Sequence, residues 1–144
     1  MKPLIKVIIP AYNEQDSIAH VINDIPKNVD EVIVISNNST DNTEINAKNA
    51  GATVLKESQK GYGFACLKGM DYISKQELKP EIIVFLDGDY SDYPEQLKEI
   101  VAPIINNDID FVIGARNKEL REQGLDFTIK ILIDLAKRAG ALKG

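Results

Sequence analysis

Glu81-Ile82-Ile83-Val84-Phe85-Leu86-Asp87-Gly88-Asp89 is the stretch that decides how this chain folds. From Ile82 to Leu86 it is apolar at every position, the pattern of a central parallel strand covered on both faces. It then ends abruptly on two carboxylates separated by one glycine. Similar short runs, rich in β-branched residues, recur at Lys6 to Ile9, Glu31 to Ile35, Ala52 to Leu55 and Phe111 to Ile113. Helical stripes alternate with them. Ile18, Val21, Ile22 and Ile25 fall at i, i+3, i+4 and i+7, with Asn13 as N-cap and Pro26 as the stop. Asp41 and Glu44 form a capping-box-like pair for the next helix, and Gly51 signals its end. Leu67, Met70 and Ile73 mark a third helix behind a Gly-rich turn. Asp92, Pro94 and Glu95 open a fourth, whose stripe is Leu97, Ile100, Val101, Ile104 and Ile105. Leu125 to Ala139 reads as an amphipathic tail helix. Such alternation predicts an α/β fold: a mainly parallel sheet, helices on both faces, in a single domain over residues 1–144.

The bulk numbers agree. In 144 residues, 44% are hydrophobic and 27% charged, enough for one continuous core. A net charge of −5 without a basic cluster argues against nucleic-acid binding, which needs Lys and Arg gathered on one face. One cysteine, Cys66, allows no intramolecular disulfide. No apolar run approaches the ~20 residues of a membrane span. Met1-Lys2-Pro3-Leu4 lacks the layout of a signal peptide, so the expectation is a cytoplasmic chain.

Ligands of open α/β sheets bind beyond the carboxyl ends of the strands. The residues there are Pro10 to Glu14, Ser36 to Asp41, Lys60 to Gly63, Asp87 to Asp89 and Gly114 to Arg116. All are polar or Gly-rich, and their convergence on one edge counts for more than any one of them. Asp87 and Asp89 offer hard oxygens suited to Mg²⁺ or Mn²⁺ held jointly with phosphates, and Gly88 leaves room for a ligand to approach the backbone. The alternative is a plain turn with helix-starting acids. An EF-hand loop is excluded, because its sixth and twelfth positions would be Asp92 and Lys98. Asn13, Glu14 and Asp41 read either as caps or as ligand contacts. Gly61 and Gly63 read either as a flexible turn or as a loop whose N–H groups approach phosphate. With Cys66 in the third place they do not make a dinucleotide fingerprint. Arg116 is either a surface charge or a phosphate clamp. Cys66 reads as core, and His20 takes no role.

These residues resemble family 2 glycosyltransferases of the GT-A type, nearest to the branch of dolichyl-phosphate mannose and glucose synthases. The resemblance rests on Val7-Ile8-Ile9-Pro10-Ala11-Tyr12-Asn13-Glu14, Asn37-Asn38-Ser39-Thr40-Asp41-Asn42-Thr43, Gly61-Tyr62-Gly63, Phe85 to Glu95, and Gly114-Ala115-Arg116. It runs to Asn117 and leaves 118–144 as an unmatched tail. It implies transfer, with inversion, of a sugar from a nucleotide-diphosphate sugar to an acceptor, of which a polyprenyl phosphate is one kind. Pro10, Tyr12, Glu14, Ser36, Asn38, Asp41, Gly61, Gly63 and Asp87 would bind the donor. Asp87 and Asp89 would hold Mg²⁺ or Mn²⁺, and Asp89 and Arg116 would serve catalysis. The family usually carries a base-contacting Asp where this chain has Ser36, which leaves the nucleotide open between UDP and GDP. Family catalytic domains also continue well beyond this length, so a non-catalytic nucleotide-sugar-binding module or partner subunit is the alternative. The tail, with Phe127 and Leu132 among Lys130, Lys137 and Arg138, would cover the sheet, or touch a membrane surface or a second copy. A response-regulator-like domain would want acids after its first strand, where Pro10-Ala11-Tyr12 stands.

Overall fold

The computed structural model describes residues 2–91 and 93–107. In order they form β1 (Ile5–Ala11), α1 (Ile18–Asp24), β2 (Glu31–Ser36), α2 (Thr43–Asn49), β3 (Thr53–Lys56), α3 (Tyr62–Ser74), β4 (Ile82–Phe85), a 3-10 turn (Pro94–Gln96) and α4 (Leu97–Asn107). The chain divides into two compact units, Met1–Leu97 and Lys98–Gly144. The expected fifth strand, Arg116 and the tail helix lie outside the described residues.

The four described strands are all parallel, in the order β3-β2-β1-β4. β2 and β1 are therefore the inner pair of these four, and β1 is buried at all seven positions. The Ile82 run, which reads as a central strand covered on both faces, borders β1 at one end of these four, and Ile83, Val84 and Phe85 are half-buried; the expected fifth strand lies outside the described residues. Parallel pairing demands a long crossover between strands, and α1, α2 and α3 lie in the three connections between the described strands.

Ile8, Ile33, Ile35, Ala65 and Ile73 form a core cluster, flanked by Leu55, Met70, Tyr72, Ile83 and Phe85. Here α3 packs on β1 and β2 through small residues. A Cβ built on Gly69 would lie 2.8 Å from Ile8 Cγ2, so only glycine lets the helix come this close. The stripe expected from Leu67, Met70 and Ile73 is rotated: the buried face is Ala65, Cys66, Gly69 and Ile73, and Leu67 is exposed. Apolarity alone misplaces the face when close approach selects small side chains.

Two expected caps are also replaced. Asn13 is not the N-cap of α1, which starts at Ile18; Asn13 instead holds a left-handed φ of 49°. Glu44 makes no capping box. Its carboxylate accepts from the Ser36 hydroxyl at 2.8 Å and faces Lys56 Nζ at 3.4 Å. Gly51 does end α2, at φ 101°.

At the amino end of the sheet a polar network ties α3 to the strands. Lys6, 8% exposed, reaches Glu31 Oε1 at 2.9 Å. Tyr72 and Thr53 hydroxyls each donate to Glu31 Oε2 at 2.8 Å, and Gln76 Nε2 donates to Oε1 at 3.3 Å. Burial pushes the Glu31 carboxyl up, but the bonds from Lys6, Tyr72, Thr53 and Gln76 outweigh it and bring it down to about 2. Among the described residues no helix is long and apolar enough to cross a membrane.

Candidate active site

The register pairs Ala11 with Ser36 and Ser36 with Lys56, so these strands end level at the carboxyl edge. The loop after β1 is stitched to the loop after β2. Asn13 Oδ1 accepts from Thr40 N at 2.8 Å, and Asn13 N donates to Ser39 Oγ at 3.1 Å. Glu14 N donates to Thr43 Oγ1 at 2.8 Å, and Gln15 N to Asp41 Oδ2 at 3.3 Å. Asn13 and Asn38 take positive φ angles of 49° and 67°, which asparagine tolerates better than most residues. Asp41 also accepts from the Thr43 N–H and hydroxyl. Burial raises its carboxyl, and the Thr43 and Gln15 bonds outweigh this to hold it below the usual range. Asp41 therefore braces both loops, one function its capping pattern did not announce.

A second set of bonds carries the edge across to α3. Asn37 Nδ2 donates to Glu57 O at 3.0 Å and Gln59 O at 2.7 Å, while its Oδ1 accepts from Gly61 N at 2.9 Å. Asn38 Nδ2 donates to Ser58 O at 3.0 Å. Gly61 stands at the N-cap of α3 with φ 134°, a backbone state side chains rarely allow. Gly63 differs: nothing lies within 4 Å of a Cβ placed on it.

Asp87, Gly88 and Asp89 follow β4. Gly88 is buried, and a Cβ there would stand 3.3 Å from both Ile18 Cδ1 and Ile9 Cγ2. The expectation that Gly88 makes room for a ligand is corrected: its bare backbone makes room for β1 and α1 beneath it. The Ser17 hydroxyl donates to Gly88 O at 2.7 Å and so pins the turn to the first loop. The Tyr62 hydroxyl donates to Asp87 Oδ1 at 3.1 Å, and Ser91 N to Asp89 Oδ1 at 2.9 Å. Tyr90 has φ 64°, its hydroxyl donates to Asp24, and its ring meets His20 edge-on at a centroid distance of 6.1 Å.

Glu14 reports the electrostatics of the edge. Burial raises its carboxyl most, then the charges of Asp89, Asp41 and Asp87; the Ser17 hydroxyl opposes them, and the net shift is upward. Carboxylates that repel one another at a strand end favour a bound cation. Among the described residues no group of three or more His, Cys, Asp or Glu is arranged to hold an ion alone. A pair of hard carboxylates fits Mg²⁺ or Mn²⁺ completed by phosphate oxygens.

Of the residues expected to bind donor, Glu14, Asn38, Asp41, Gly61 and Asp87 lie in these loops and Gly63 in the first turn of α3, with Asp89, expected for metal and catalysis, beside Asp87. Tyr12 is 59% exposed at the end of β1. Pro10 is buried within β1, and Ser36 is buried with its hydroxyl committed to Glu44. Arg116 lies outside the described residues. Cys66 is buried, and burial pushes its thiol up to about 12, which removes it as a nucleophile. Ser17, Asn37 and Tyr62 brace the site without having been singled out as site residues. Tyr62, set between two glycines, was the one with a local signal.

The protein RfbJ of Shigella flexneri is 37% identical over 116 residues, covering 79% of this chain and 86% of RfbJ. The UDP-N-acetylglucosamine–dolichyl-phosphate N-acetylglucosaminyltransferase of Methanococcus voltae is 31% identical over 138 residues, covering 83% of this chain and 54% of that enzyme. Glucosyl-3-phosphoglycerate synthase from Mycobacterium tuberculosis, solved with Mn²⁺, UDP-glucose and phosphoglyceric acid, superposes with a TM-score of 0.64 at 30% identity, covering 74% of this chain and 40% of that one. The same enzyme has been solved with Mg²⁺ and UDP. This chain thus spans most of RfbJ but about half, or less, of the other two. The family model of Glycosyl transferase family 2 matches residues 6–138. Joined to a parallel sheet of GT-A type with its polar loops on the carboxyl edge, that match establishes the chain as a member of glycosyl transferase family 2.

Proposed function

We propose that the chain binds a nucleotide-diphosphate sugar, a UDP-sugar in the first instance, and transfers its sugar with inversion to an acceptor. The observation that carries this is the Asp87-Gly88-Asp89 turn, seated on Gly88 and tied by Tyr62 to the glycine loop of α3. Asp87 and Asp89 would hold Mg²⁺ or Mn²⁺, which supplies neutralisation of the charge growing on the departing diphosphate. Tyr12 offers an exposed ring to the nucleoside beside Pro10, while Glu14, Asn38 and Asp41 line the ribose side. Ser36 acts from below, by fixing Glu44. Gly61 and Gly63 bring backbone N–H groups at the start of α3 toward phosphate. The acceptor oxygen attacks the anomeric carbon as the bond to the diphosphate breaks. A polyprenyl phosphate, the kind of acceptor named for the M. voltae relative, brings an anionic oxygen and needs no general base, and Arg116 would hold its phosphate.

The chain's coverage of about half of the M. voltae enzyme favours one second reading, a donor-binding module that depends on further chain for its acceptor. Calorimetric titration of UDP with and without Mn²⁺, followed by UDP-glucose turnover, separates the two. Metal-dependent UDP binding with sugar transfer or release supports the enzyme, and binding without turnover supports the module. Absence of UDP and GDP binding under every condition overturns both.

A further inference from the structure

Asn37 follows β2 at the carboxyl edge of the sheet, and all three of its amide contacts go into one loop. Its Nδ2 donates to the carbonyls of Glu57 and Gln59, and its Oδ1 receives the Gly61 N–H. A carboxamide is the short side chain that donates twice and accepts at once; Asp accepts only, and Ser has a single proton. The loop also has supports of its own. Glu57 N donates to Ser36 O at 3.0 Å, and Gln59 N to Glu57 Oε2 at 3.1 Å. The Gly61 N–H goes to Asn37, while its carbonyl accepts from Ala65 N at 3.2 Å within α3. Gly61 in turn caps the first turn of α3, a helix of 13 residues whose first residue, Tyr62, reaches Asp87. One side chain after β2 is thereby connected through two steps to a carboxylate after β4.

We infer that Asn37 is a positioning residue, fixing the Gly61–Gly63 turn, and through Tyr62 the Asp87 carboxylate, for the diphosphate of the donor. This rests on the donor reading above. It distinguishes Asn37 from a nucleoside contact by where the loss must fall. If Asn37 holds the phosphate loop, its removal weakens a diphosphate more than a monophosphate of the same nucleoside. If it touches the nucleoside, both weaken alike.

The test uses Asn37→Ala and Asn37→Ser beside the unaltered chain, with circular dichroism to establish folding of each. In ligand-free protein the Gly61 amide should exchange with solvent about tenfold faster in both variants, as expected for loss of a single well-formed bond. With Mn²⁺ present, UDP affinity should fall roughly tenfold while UMP affinity stays within about twofold. Unchanged Gly61 exchange, or equal losses for UMP and UDP, overturns the role of Asn37. If the unaltered chain binds neither nucleotide, the donor reading and the diphosphate half of this inference fail together. The exchange data still decide whether Asn37 holds the loop. Should one variant not fold, the other carries the same comparison.

Discussion

The two ends of the same sheet are built on opposite electrostatic terms. At the amino end, Glu31 is surrounded by Lys6, Tyr72, Thr53 and Gln76, and every donor finds its acceptor. At the carboxyl end, Glu14 faces Asp41, Asp87 and Asp89, with non-glycine residues held at positive φ at Asn13, Asn38 and Tyr90. One end is electrostatically settled and holds the molecule together. Among the described residues the other gathers repelling carboxylates, with rare backbone states retained around it, as is usual where function competes with stability.

The contrast breaks first at Glu31. Glu31→Ala strands Lys6 in a nearly buried position and should cost about 3 kcal/mol of unfolding free energy by urea titration, with metal-dependent UDP binding intact. Acid sharpens the same point. The Glu31 carboxyl lies near 2 in the folded chain against 4.5 for an unperturbed glutamate, so folding favours its ionised form. Its stabilisation is complete above pH 4.5 and is lost as pH falls toward 2, and Glu31→Gln should flatten thermal stability across that window.

Asp89→Ala inverts the outcome. UDP affinity in Mn²⁺ should fall about a hundredfold by calorimetry, while melting temperature holds or rises because one repelling carboxylate is gone. Ser17→Ala should register at both ends of the scale. Loss of the bond to Gly88 O costs about 1 kcal/mol in chemical denaturation and weakens UDP a few-fold. The smallest effect is Gly63→Ala. Open space around that position and the helix it belongs to predict a stability gain of about 0.5 kcal/mol. Any accompanying fall in UDP affinity would mark the new methyl as standing where the phosphates come.

How far the sequence reveals this follows from the range of its signals. Strand and helix periodicities are local, and they locate each described element to within a few residues. The Asp87-Gly88-Asp89 turn is legible because its chemistry is contiguous. What pins that turn is not: Ser17 and Gly88 are 71 residues apart, and Tyr62 and Asp87 are 25. Asn37 looks like one more polar loop residue until Glu57, Gln59 and Gly61 are brought beside it. Lys6, a charge inside the inner strand β1, is equally illegible until Glu31 of β2 is brought beside it, 25 residues on.

The burial of Cys66 has a practical corollary. The chain carries one sulfhydryl, sealed on the buried face of α3 and held protonated at ordinary pH, so maleimides and spin labels should pass the native protein by. A cysteine placed at exposed Leu78 or Ile45 would then be the sole reactive handle. Loop movements around a bound nucleotide could be followed from such a reporter without first engineering a native thiol away.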